Sequence, residues 1–255
     1  MNSTPWLVRS DCPAPRLRLY CFSYAGGSAA DFMPWQSALA PDIEVCAIQL
    51  PGRGARLDEP TVASMAQLLE TLAPVIARDG EQPFAFFGHS LGALVAFEVA
   101  RYAMHRSLPQ PSRLLVSGCA APQRYHSLEQ LHRLSDDGLV DALRRLNGTP
   151  AELLEHRELM ELILPALRAD LTLAETYAYR PGPSLPVPIT VLSGTLDLHT
   201  QLEPVDAWHE QTCVECRTYA FEGDHFFIKA HFHAVIACIH AELTGALAAS
   251  SAVKR

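Results

Sequence analysis

Gly88-His89-Ser90-Leu91-Gly92 sets a serine between two glycines, each two residues away. A serine hydroxyl is a weak nucleophile at neutral pH. It needs a histidine base within hydrogen-bond reach and a carboxylate that orients the histidine. It also needs main-chain N–H donors for the oxyanion that attack creates. The pentapeptide follows the apolar run Phe84-Ala85-Phe86-Phe87 and precedes a helix-like run from Leu94 to Met104. Strand, sharp turn and helix is the context in which G-x-S-x-G presents a nucleophile. The strand and helix backbones come close there, and glycine meets that demand on both sides. Ser90 is the candidate nucleophile.

Its partners are expected at the carboxyl ends of parallel strands, where an open α/β sheet gathers functional groups. Of eleven histidines, three closely follow strand-like segments: His89, His199 and His225. His89 adjoins the nucleophile with its side chain directed away from it, which reads as packing or turn polarity. His225 lies in the turn Gly223-Asp224-His225, with Phe226 and Phe227 to pack it, and is the candidate base. His199 competes with it, but lies two residues past Asp197, too near in sequence to be held easily by that carboxylate. Asp197 ends the strand-like segment that starts at Ile189 and is the candidate acid. The preceding strand end, Ser117-Gly118-Cys119-Ala120-Ala121-Pro122, offers no carboxylate. Asp224 adjoins His225, and adjacent side chains on a turn rarely face each other. The order Ser90, Asp197, His225 is that of an α/β-hydrolase. Two N–H groups are the candidate oxyanion donors: Leu91, directly after the serine, and Ala25, in the small-residue turn Tyr24-Ala25-Gly26.

These residues need a sheet to hold them. Strands are expected over Arg16–Phe22, Ile43–Leu50, from Phe84, Arg113–Cys119, Ile189–Gly194 and Val214–Phe221. Helices are expected over Phe32–Leu39, Thr61–Arg78, Leu94–Met104, Glu203–Glu210 and Phe226–Leu247, with Pro74 kinking or shortening the second. The alternation predicts an α/β fold, a mostly parallel sheet with helices on both faces. Residues up to Pro15 read as a loosely held arm. From Gln123 to about Tyr179 leucines recur at helical spacing, interrupted at Gly148-Thr149-Pro150 and Pro165. This stretch is either an ordinary helical layer or a lid over a pocket. The expectation is one domain over 1–255, with a helical lid subdomain over about 123–180.

Bulk composition narrows the function classes. The 255 residues, 49% of them hydrophobic, suit one α/β domain with a large core. A net charge of −8 leaves no basic stripe for nucleic acid. Seven cysteines without paired spacing read as free thiols in a reducing compartment. Cys213-Val214-Glu215-Cys216 sits in a strand-like context and reads as structural. Met1–Arg9 lacks the cationic and apolar segments of a signal peptide, and no run is long enough to span a membrane, so a cytoplasmic location is expected.

With these pieces placed, the chain resembles the type II (editing) thioesterases of nonribosomal peptide and polyketide synthesis. The resemblance rests on Phe22-Ser23-Tyr24-Ala25-Gly26-Gly27-Ser28, Leu50-Pro51-Gly52-Arg53-Gly54-Ala55-Arg56 and Phe87-Gly88-His89-Ser90-Leu91-Gly92. It continues in Leu167-Arg168-Ala169-Asp170 with Glu175 to Tyr179, Ser193-Gly194-Thr195-Leu196-Asp197 and Gly223-Asp224-His225-Phe226-Phe227. Ser23 departs from a frequent proline and Asp224 from a frequent second glycine. The resemblance implies an α/β-hydrolase fold and hydrolysis of acyl or aminoacyl thioesters carried on the phosphopantetheine arm of a carrier protein. It implies no cofactor beyond that arm and no metal. Arg53 and Arg56 are open to two readings, contact with the carrier or its phosphate, and internal salt bridging. Asp170 and Glu175 read as structural. A small-molecule carboxylesterase on the same fold is the rival enzyme reading, and a non-enzymatic scaffold the rival outside catalysis.

Overall fold

A computed structural model describes residues 4–79, 82–126, 130–146, 151–201 and 205–253. Seven strands form one sheet: β1 (Leu7–Arg9), β2 (Leu17–Phe22), β3 (Ile43–Ile48), β4 (Phe84–His89), β5 (Leu114–Ser117), β6 (Ile189–Gly194) and β7 (Cys216–Phe221). Their order is β1-β3-β2-β4-β5-β6-β7, with β1 antiparallel to β3 and every other pair parallel. β4, which leads into Ser90, is central. All six residues of β2, β3, β4 and β6 are buried, as a sheet covered on both faces requires.

The helices are α1 (Gln36–Leu39), α2 (Met65–Ala77), α3 (Leu91–His105), α4 (Asp136–Leu146), α5 (Ala151–Glu155), α6 (Arg157–Glu175), α7 (Leu198–Gln201), α8 (Phe227–Ala230) and α9 (Phe232–Val253). Alternate strand residues go to opposite sides. Tyr20 and Phe22 pack with Leu72 of α2 and Leu94 of α3, while Leu19 and Cys21 pack with Ile239 and Leu243 of α9. α3 is buried nearly all round, as its apolar sequence predicts. Between β5 and β6, Leu139, Leu143, Leu154, Met160, Leu164 and Leu167 form a third cluster, and Ala25 packs against it. Leu128 and the break at Gly148-Thr149-Pro150 lie outside the described residues. Among the described residues, no helix is long and apolar enough to cross a membrane.

Three expectations need correction. The N-terminal arm is not loose: β1 pairs with β3, Arg9 bonds Glu44 at 2.9 Å, and the Trp6 ring lies 4.0 Å from the Arg56 guanidinium carbon. Three residues are too short to show a strand period, and the open edge of β3 supplies the pairing. Pro165 does not break its helix, because α6 runs through it with Met160, Leu164 and Leu167 buried on either side. Pro74 stands inside α2, whose end follows three residues later at Ala77. The stretch expected as a helix from Phe32 is a pair of 3-10 turns around Ala29–Asp31 and Met33–Trp35 followed by the short α1.

Candidate active site

Ser90 caps α3 with φ 56° and ψ −121°, a positive φ that is rare for a residue with a side chain. Its N–H donates to the Ser117 carbonyl at 2.8 Å, which ties the turn to the end of β5. The need for glycine is steric. A Cβ on Gly88 would stand 2.1 Å from the Gly92 carbonyl oxygen, and one on Gly92 would stand 2.1 Å from that of Phe22. β2, β4 and α3 therefore meet at van der Waals contact, and Ser90 is lifted to a partly exposed position.

Asp197 and His225 come from the next two strand ends. The Thr195 N–H donates to the Phe221 carbonyl and the Leu196 N–H to the Gly223 carbonyl, both at 2.8 Å, so the two turns are laced together. A Cβ on Gly194 would lie 2.5 Å from the Asp224 carbonyl oxygen, so only glycine permits this approach. His225 Nδ1 lies 2.9 Å from Asp197 Oδ2. The Asp197 side chain is fully buried and that of His225 is 20% exposed. Asp197 Oδ1 accepts the His199 main-chain N–H at 3.0 Å. Both carboxylate oxygens thus accept hydrogen bonds, and His225 keeps Nε2 for other work. Asp224 accepts the Phe226 N–H at 2.9 Å, which caps its own turn.

The two other strand-end histidines flank this base. The His199 and His89 rings each have their centroid 4.9 Å from that of His225. His89 is fully buried, and its Nδ1 lies 3.0 Å from Ser117 Oγ. Burial, reinforced by His225, pushes its pKa well below 6.5 and keeps the ring neutral. Packing is the correct reading of His89, with the addition that it forms one wall of the His225 site. Gly118 has φ +57°, and a Cβ on it would meet His89 Cε1 at 2.6 Å. Gly194 lies in a stretch that carries the resemblance, but the demand for glycine at Gly118 and Gly194 comes from distant segments that no local motif shows.

The oxyanion candidates lie at two loop ends. The Leu91 N–H belongs to the first turn of α3, where the helix leaves donors unused. The Ala25 N–H has no hydrogen-bond acceptor among the described residues. Arg53 and Arg56 are 8% and 6% exposed, and their guanidinium groups are committed internally. Arg53 forms a two-pronged pair with Asp170, and Arg56 pairs with Glu59 and bonds the Gln49 carbonyl. Internal bridging is the reading the geometry supports, and contact with a carrier arm is not. Glu175 accepts the Leu131 and His132 N–H groups at 2.9 and 3.0 Å, a structural role like that expected. Cys213 and Cys216 are free thiols. Among the described residues, no group of three His, Cys, Asp or Glu side chains is placed to hold a metal ion.

Comparison with known proteins gives the family. The thioesterase domain family matches residues 17–243. The gramicidin S biosynthesis protein GrsT of Aneurinibacillus migulanus is 40% identical over 88% of this chain and 88% of its own length. The thioesterase PikA5 of Streptomyces venezuelae is 38% identical over 92% of this chain and 84% of its own. Among solved structures, the type II thioesterase BorB of the borrelidin cluster superposes with a TM-score of 0.86 at 38% identity, covering 97% of this chain and 99% of its own. The type II thioesterase YbtT of the yersiniabactin pathway gives 0.83 at 31% identity, over 95% and 99%. The chain belongs to the thioesterase family, as an enzyme of the α/β-hydrolase fold that cleaves thioester bonds.

Proposed function

We propose that the protein hydrolyses acyl or aminoacyl thioesters on the phosphopantetheine arm of carrier proteins, and so clears stalled groups from a nonribosomal peptide or polyketide synthase. The observation that carries the reading is the buried Asp197 carboxylate bonded to His225, whose ring centroid lies 4.9 Å from that of His89 in the Ser90 elbow. Ser90 Oγ attacks the thioester carbonyl while His225 Nε2 takes its proton. The tetrahedral oxyanion is held by the Ala25 and Leu91 N–H groups. Its collapse breaks the C–S bond, and the proton on His225 passes to the departing thiolate. Water then attacks the acyl-enzyme, His225 takes its proton, and Ser90 leaves with that proton as the free acid is released. No cofactor enters any step.

The helical stretch α4–α6 serves as the lid over the acyl group. Its leucine cluster reaches Ala25, beside the carbonyl carbon's expected position. The carrier partner and the synthase setting are supported by the kinship with GrsT and with the type II thioesterases BorB and YbtT. The test compares kcat/KM for one acyl group presented on a carrier protein and as a soluble oxygen ester, with Ser90→Ala as control. A strong preference for the carrier thioester, abolished by the substitution, is expected. Preference for the soluble ester would return the carboxylesterase reading, and unchanged hydrolysis by Ser90→Ala would remove the mechanism.

A further inference from the structure

Helix α6 sends one carboxylate into the loop that carries Ala25. Asp170 is 1% exposed. Its Oδ2 accepts the Gly26 N–H at 2.8 Å. The Arg53 guanidinium grips both oxygens, Nη1 to Oδ2 at 2.6 Å and Nη2 to Oδ1 at 2.7 Å. The same Nη1 donates to the Gly27 carbonyl at 2.9 Å. One buried ion pair therefore holds an N–H and a C=O in the two residues that follow Ala25. The Arg53 main chain is fixed in turn, since its carbonyl accepts from Gln49 Nε2 at 2.9 Å while Gln49 Oε1 accepts the Ala29 N–H at 3.1 Å. Three segments remote in sequence meet here: the loop after β2, the turn after β3, and α6.

The details favour aim over adhesion. Arg53 Nε is buried without a hydrogen-bond partner, so the fork is held by its fit to Asp170 and Gly27 and not by full satisfaction of the arginine. A planar fork fixes angle as well as distance, which a lysine ammonium does not. Gly26 has φ +78°, and a Cβ on it would meet Leu167 Cδ1 of α6 at 3.1 Å. The loop is pressed against the helix that bonds it. Asp170 consumes the Gly26 N–H and leaves that of Ala25 uncommitted.

We infer that Arg53 and Asp170 are positioning residues for the reaction: together they aim the Ala25 N–H at the oxyanion and make that aim depend on the seating of α6. The inference rests on the reading of Ala25 as an oxyanion donor. It assigns Arg53 no contact with the carrier, so its loss harms soluble and carrier-linked thioesters alike.

The test uses full-length Arg53→Lys, Arg53→Met, Asp170→Asn and the Arg53→Met/Asp170→Asn double variant. Rates are normalised to active sites counted by complete labelling with a fluorophosphonate, which removes unfolded protein from the comparison. The substrates are hexanoyl-N-acetylcysteamine and hexanoyl carrier protein. An alkyl boronic acid, which adds to a serine as a tetrahedral adduct, reports on the oxyanion site directly. Deleting an oxyanion donor costs about 10²–10³ in kcat, and a misaimed one is expected to cost about 10–100-fold. KM should stay within about twofold, boronic acid affinity should fall with kcat, and the double variant should be no worse than the single ones because the pair acts as a unit. Unchanged kcat and boronic acid affinity in folded Arg53→Lys and Arg53→Met would overturn the inference, leaving the pair a matter of stability. So would a loss confined to the carrier substrate. Failure of the underlying reading has a separate signature: the wild-type protein itself would not bind the boronic acid.

Discussion

Replacing Asp197 with asparagine removes one acceptor from a carboxylate that uses both oxygens. Oδ2 faces His225 Nδ1 at 2.9 Å, and Oδ1 faces the His199 main-chain N–H at 3.0 Å. Asparagine has a single oxygen, so its amide group must face one of these two. The His199 N–H is fixed at the start of α7 and cannot become an acceptor. The imidazole can, by moving its proton from Nδ1 to Nε2. The amide oxygen therefore stays with His199, and the amide nitrogen donates to Nδ1. Nε2 then carries a proton and cannot accept one from Ser90. Where an orienting aspartate in a serine protease is replaced in this way, kcat falls about 10⁴-fold. At 1.36 kcal/mol per tenfold this is about 5.4 kcal/mol of transition-state stabilisation. Folding loses far less, because both hydrogen bonds survive as neutral ones. A cost of about 1 kcal/mol corresponds to a Tm shift of about 2–4 °C in a domain near this size. The assay pairs thiol release from a soluble thioester, read with a thiol-reactive dye, with circular dichroism melting. We expect kcat down by about 10³–10⁴ with Tm nearly unchanged. An Asp197→Asn protein within tenfold of wild type would refute the orienting role. A collapse in Tm would refute the claim that orientation, not folding, is what the second oxygen serves.

Two further outcomes follow from burial. His89 is buried and neutral because burial, with His225 beside it, depresses its pKa below 6.5. The unfolded chain takes up that proton as pH falls through about 6.5 and the folded chain does not, so folded stability drops by up to about 1.4 kcal/mol per pH unit below that point. His89→Phe, which loses the Ser117 contact, should start with a lower Tm at pH 7.5 but lose less of it by pH 5. Melting curves that fall in parallel across this range would contradict the assignment. The second outcome concerns the acyl pocket. Leu139, Leu143 and Leu164 share a buried cluster with Ala25 packed against it. In the proposed role of this stretch as a lid, it discriminates by methylene groups, each worth about 1–3 kcal/mol. Neighbouring acyl chain lengths should therefore change kcat/KM by less than about a hundredfold in a thioester series. One length preferred far beyond that would show that these leucines do not line the pocket.

The Ser90 elbow was legible because a steric demand local in sequence forces glycine on both sides of it, and the Gly92 contact with Phe22 is that demand in atomic form. Asp197 and His225 were legible because parallel strands place their successors at one edge, which reduced eleven histidines to three. Tertiary partners were not legible. Arg53 stays open between carrier contact and internal bridging until Asp170, 117 residues away, closes on it. Gly118 and Gly194 look like ordinary turn glycines, because what excludes their Cβ atoms is a histidine ring and a backbone from distant segments. β1 carries too few residues for a period and exists because β3 has an open edge. Pro165 was expected to break its helix, yet the cluster packed around α6 outweighs one missing hydrogen bond.

The central claim is that Ser90 removes acyl groups from a carrier arm, and intact-mass measurement of an acyl-loaded carrier protein tests it most directly. Incubation with the wild-type protein should lower the carrier mass by that of the acyl group, leaving the free phosphopantetheine thiol. Incubation with Ser90→Ala should leave the loaded mass in place. A carrier that stays loaded under the wild-type protein, or is unloaded equally by Ser90→Ala, would contradict the account.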